Sequence, residues 1–156
     1  MTFKTINLKK ILAALPRILA PLVLGFAVSM LIGDTREFYF SLDRPPLSPP
    51  PVVFPVVWSI LYLLMGISSY LARDCKTTQR LFYAGLFMNL LWTVLFFGFN
   101  LVGFSAIWIV LLTIQSLITL VSFLRCNSLS GLLFIPYILW LIFASYLNIA
   151  IYFLNR

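Results

Sequence analysis

The sequence predicts an all-α integral membrane protein, built as a bundle of five transmembrane helices over residues 1–156. Three observations carry that prediction. Of 156 residues, 62% are hydrophobic and only 10% are charged, which is the balance of a membrane chain and not of a soluble domain. The apolar residues gather into five runs of about 20 residues, and a helix of that length crosses the ~30 Å hydrocarbon core. A proline-rich stretch separates the first two runs, and its prolines exclude a helix interior there.

The first helix is expected from residue 11 to 32. Its charged start and apolar run look like a secretory signal, but the run from Ile11 to Ile32 is longer than a signal's core, so it reads as a retained helix. Gly25, Ser29 and Gly33 recur every fourth residue, a small-residue face on which another helix can pack closely. Residues 33–51 then form the longest connection and hold Asp34, Glu37 and Asp43, three of the four acids in the chain. Pro45, Pro46, Pro49, Pro50, Pro51 and Pro55 fix φ and remove donors, so this loop runs extended until the second helix begins.

The second helix is expected over residues 52–71, the third over 81–99, the fourth over 101–124 and the fifth over 132–154. The segment ARDCKTTQR links the second to the third. Only Asn100, set between Gly98 and Gly103, splits the third from the fourth, which predicts a tight helical hairpin.

The net charge of +7 comes from basic residues scattered between apolar runs. They form no sustained patch for nucleic acid and instead report topology. Lys4, Lys9, Lys10, Arg73, Lys76, Arg80 and Arg125 fall on the N-terminal side of the bundle; Arg36, Arg44 and Arg156 fall on the other. The N-terminus is therefore expected inside, with the C-terminus and the proline-rich loop outside. If the membrane is an inner one, Cys75 and Cys126 then face the reducing cytoplasm, which agrees with free thiols.

The spans contain no Asp, Glu, Lys or His, so they offer no proton relay, no carboxylate pair and no axial histidine for haem. Aromatic faces are what they do offer. Asn89, Trp92 and Phe96 share a face of the third helix; Tyr137, Trp140, Ala144 and Leu147 share one on the fifth; Trp58, Tyr62 and Met65 form a stripe on the second. Such surfaces suit large flat ligands.

The stretch FYFSLDRPPLSPP followed by VVFPVVWSILYLLMG resembles the translocator protein family, also called the tryptophan-rich sensory or peripheral benzodiazepine receptor family. Its landmarks stand at Tyr39, Leu42, Pro45, Pro49, Pro50, Val53, Phe54, Val57, Trp58, Leu61, Tyr62, Met65 and Gly66, with Arg44 in place of Lys. Further matches are Asn89, Trp92, Phe96 and Phe97 in the third helix, and Pro136, Tyr137, Trp140, Phe143, Ala144, Leu147 and Asn148 in the fifth. Leu47 stands where the family most often has Trp, and Pro55-Val56 replaces its Gly-Pro.

The resemblance implies a receptor or translocator for porphyrins and other flat apolar molecules, with the porphyrin a ligand and no cofactor required. The expected ligand-binding residues are Tyr39, Leu47, Trp58, Tyr62, Asn89, Trp92, Phe96, Trp140, Phe143, Ala144 and Leu147, around a pocket between the second, third and fifth helices under the loop. Partners are the bilayer and a second copy of the chain, since family members tend to be dimers. Two alternatives stand beside this reading: a weak enzyme supporting light- and oxygen-dependent porphyrin breakdown, and a sterol-binding or partner-regulating membrane protein.

Overall fold

A computed structural model describes the backbone of residues 8–156 and the side chains of residue 12 and of residue 14 onward. Lys4 and the side chains of Lys9 and Lys10, part of the charge count above, lie outside the described residues.

The order is α1 (Leu8–Ile32), α2 (Arg36–Ser41), α3 (Val53–Leu71), α4 (Lys76–Thr93), α5 (Val102–Cys126) and α6 (Ser128–Leu154). A π-helical turn, Val94–Gly98, continues α4. Five of these helices, α1 and α3 to α6, are long and apolar enough to cross a membrane. They pack in the cyclic order α1, α3, α6, α5, α4 and back to α1. Side chains of α3, α4 and α6 meet across the middle.

α4 begins five residues before the expected position, at Lys76, and α6 begins four before, at Ser128. The polar residues that resembled loop are helical and serve contacts. Gln79 donates to the carbonyls of Ser69 and Ala72, at 2.8 and 3.2 Å, and Thr78 meets Ser122 at 2.7 Å. Asn127 caps α6, its side-chain oxygen accepting from the amides of Leu129 and Ser130 at 3.0 and 3.2 Å. The connection at residues 33–51 also holds the short helix α2, which the proline count concealed.

The small residues of α1 divide their work. A Cβ on Gly25 would enter the ring of Tyr62, so this glycine lets α1 approach α3. Gly33, at φ +80, ends the helix, its amide bonding Ser29 O at 3.1 Å, and nothing lies within 4 Å of its Cβ position. α3 answers with Gly66, where a Cβ would collide with the backbone of Ile18.

Cys75 and Cys126 are joined in a disulfide, which corrects the expectation of free thiols. They are 51 residues apart. Two antiparallel helices of similar length, α4 and α5, fold back at Asn100 (φ 56) and bring their far ends together.

Candidate functional site

Two buried asparagines organise the centre of the bundle. Asn89 accepts a hydrogen bond from the Tyr62 hydroxyl at 2.7 Å and donates to the Tyr137 hydroxyl at 3.3 Å, tying α4 to both α3 and α6. Asn148 accepts from Trp92 Nε1 at 2.9 Å and donates to Val102 O at 3.1 Å. Rings close around these bonds. Trp58 lies 5.4 Å from Tyr62 and 6.3 Å from both Trp92 and Tyr137, while Trp92 stacks on Phe96 at 5.7 Å. The π-helical turn resets the register after Trp92, and Phe96 thereby also meets Phe97 at 4.7 Å and Phe38 of α2 at 5.8 Å.

A second group of rings runs from the loop into the bundle. Tyr39 is buried, and its hydroxyl donates to Pro49 O at 3.0 Å, closing the loop on itself. Its ring meets Phe54 at 5.5 Å, Phe54 meets Trp140 at 6.3 Å, and Trp140 meets Phe143 at 5.4 Å. Trp140 Nε1 is buried with no acceptor. This is unusual for a buried indole, whose N–H normally finds a partner. Trp92 and Trp108 both have one, while the half-buried Trp58 has none among the described residues.

The loop is fastened to α6 at two points. The amide of Asn155 accepts from Asp43 N and donates to Asp43 O, both at 2.9 Å, and the Tyr146 hydroxyl donates to Pro46 O at 3.1 Å. The fastened segment carries a shallow, largely open depression of about 500 Å³, lined by Phe40, Leu42, Asp43, Arg44, Pro45, Leu47 and Ser48. Arg44 rests over the rings of Tyr39 and Phe40, at 5.0 and 5.4 Å. Leu47 is 80% exposed and holds φ 70, a left-handed conformation that costs an L-residue ~1 to 2 kcal/mol.

The expected site residues therefore fall into three places. Trp58, Tyr62, Asn89, Trp92 and Phe96 meet at the centre; Tyr39, Trp140 and Phe143 lie along the second row of rings; Leu47 stands apart on the outer depression. Ala144 and Leu147 are buried on α6 at 6% and 5% exposure. Phe54 bridges Tyr39 to Trp140 and was not singled out by helical spacing, because it sits in the first turn of α3 among prolines. Asn155 and Tyr146 also escaped that reading, since their partners are loop carbonyls and amides.

Among the described residues there is no cluster of His, Cys, Asp or Glu able to hold a metal. The arrangement presents aromatic faces and two indole donors, those of Trp58 and Trp140, without acceptors among the described residues; such surfaces suit flat apolar molecules.

The TspO/MBR family model matches residues 17–154. The chain is 35% identical over 155 residues to the tryptophan-rich protein TspO of Archaeoglobus fulgidus, covering 96% of this chain and 99% of that one. It is 37% identical over 131 residues to protein CrtK of Rhodobacter capsulatus, covering 80% and 82%. With the translocator protein of Ovis aries it shares 29% over 133 residues, covering 80% and 79%.

Proposed function

This chain belongs to the TspO/MBR family of membrane proteins, and from that premise we propose that it is a receptor taking porphyrins and other flat apolar molecules into the helix bundle beneath its proline-rich loop. The observation that carries the reading is Trp140, whose buried N–H has no acceptor among the described residues and lies among the rings of Phe54 and Phe143. A donor left in this state inside a low-dielectric bundle is costly unless a ligand completes it. A tetrapyrrole supplies both what the rings want, a flat apolar face, and what the indole wants, an acceptor atom.

The test is Trp140→Phe, which removes the N–H while keeping an aromatic ring. Porphyrin affinity of the purified protein, followed by quenching of the remaining tryptophans, is expected to fall about threefold to tenfold, the worth of one hydrogen bond. Equal affinity of the variant and the parent would sink the reading of Trp140 as a ligand donor.

The same proposal includes an orientation. Arg73, Lys76, Arg80 and Arg125 gather at the end of the bundle away from the loop, and the excess of positive charge keeps that end inside. The loop and its depression then face out. The Cys75–Cys126 disulfide lies at the same end and weighs against this orientation, because disulfides persist in oxidising compartments.

A further inference from the structure

The end of the bundle away from the loop carries two signals that disagree. The excess of positive charge at Arg73, Lys76, Arg80 and Arg125 marks the inside, whereas the bond between Cys75 and Cys126 marks an oxidising compartment. Both signals hold for a bond that cellular thiols open and an oxidant closes again.

The surroundings of the pair suit such exchange. Cys75 and Cys126 are each half-buried, so a small thiol reaches them as it would not reach a bond sealed in the core. Cys75 is the N-cap of α4, its carbonyl accepting from Gln79 N at 3.0 Å, and a thiolate released there stands at the positive end of the helix. Lys76 and Arg125, the chain neighbours of the two cysteines, are exposed and form no ion pair among the described residues, while Asp74, the acid of this end, lies 3.9 Å from Arg73. The local charge favours thiolates and draws an anionic thiol toward the bond.

The bond also joins parts that can separate. It ties the α3–α4 turn to the α5–α6 turn, and close to it the two sides meet again through Thr78 and Ser122 at 2.7 Å. Deeper in, Phe82 and Phe123 are buried and pack ring to ring at 5.9 Å, so the core stays closed when the turns part.

We propose that Cys75–Cys126 is a thiol-operated staple, which fastens the inner turns under oxidising conditions and releases them under reducing ones. The thiolate of a small anionic thiol, of the glutathione class, attacks Sγ of Cys126, and the S–S bond breaks with its electron pair leaving on Cys75. A second thiolate attacks the glutathione sulfur of the mixed disulfide, freeing Cys126 and leaving glutathione disulfide. Two thiols are oxidised as the one protein disulfide is reduced, and their two protons end on the cysteines. The staple is independent of the receptor reading and rests on the orientation proposed with it.

The experiment treats the purified, folded protein with reduced glutathione and then with glutathione disulfide. Alkylation of free thiols follows the bond, and limited trypsin digestion at Arg73, Lys76 and Arg125 follows the turns. Reduced glutathione is expected to open the bond without denaturant and to raise cleavage at those sites about tenfold, and glutathione disulfide should reverse both. A bond that opens only in denaturant, or cleavage that stays the same once the bond is open, overturns the staple and leaves the orientation standing. In sealed cells given a permeant reductant, labelling of the pair by an impermeant maleimide overturns the orientation and the staple together.

Discussion

At the centre of the bundle, both side-chain amides have their partners: Asn89 bonds Tyr62 and Tyr137, and Asn148 bonds Trp92 and Val102. Near the loop, among the described residues, Trp140 keeps a buried donor without an acceptor and Arg44 a guanidinium without an acid, and Leu47 keeps a left-handed backbone. Both regions are rich in rings, so aromatic content does not separate them. The partnering of the side-chain amides does. A polar group buried in a membrane protein is stable when its partner is fixed in the same chain, and Asn89 and Asn148 meet that condition, although Gln115 Oε1 and Ser116 Oγ on α5 are buried without partners among the described residues. The mouth gathers three such departures in one place, and under the receptor reading proposed above that is where a ligand would act.

The largest effect is expected at the end farthest from the mouth. Removing the disulfide with Cys75→Ser and Cys126→Ser should lower thermal stability by up to ~2 to 4 kcal/mol, because it releases a long closed loop in the unfolded chain. Porphyrin affinity should stay unchanged, which unfolding and binding assays on one preparation would show. A parallel loss of affinity would erase the distinction between the two ends. In sealed cells treated with a permeant reductant, the pair should react with a permeant maleimide and not with an impermeant one if the proposed orientation holds.

A smaller effect separates the centre from the mouth. Asn89→Leu strands the hydroxyls of Tyr62 and Tyr137, and should cost about 1 to 3 kcal/mol of stability. Adding Tyr62→Phe should recover part of that loss, since one of the stranded groups is then gone. If Asn89→Leu is as stable as the parent, the central network holds nothing together and the contrast drawn here fails.

The smallest effect belongs to Leu47. Leu47→Gly relieves the left-handed strain, so the variant should be as stable as the parent or more stable by up to ~1 kcal/mol, even though it gives the unfolded chain more freedom. A clear loss of stability, measured by thermal unfolding, would mean that the leucine side chain makes contacts that outweigh its backbone.

Several of these features were legible before any coordinates. The five spans follow from hydrophobic runs of membrane length, and the family follows from Tyr39, Trp58, Asn89, Trp92 and Trp140 standing in its order. The first turns of α4 and α6 were not legible by the same means, because Thr78 and Gln79 look like loop to a hydropathy argument and act as interhelical partners.

What the sequence determined by itself is the one-dimensional part: which stretches enter a bilayer, which side carries the excess charge, and which residue types face one another along a helix. These are properties of neighbours in the chain, and spacing reports them. The tertiary structure decided the pairings. Cys75 and Cys126 bond because α4 and α5 fold back at Asn100 and end at nearly equal distances from it. Tyr62 finds Asn89, and Asp43 finds Asn155, only once the helices close into a ring. The free donor at Trp140 belongs to the same class, since a group's lack of a partner is a fact about everything packed around it and no local pattern can state it.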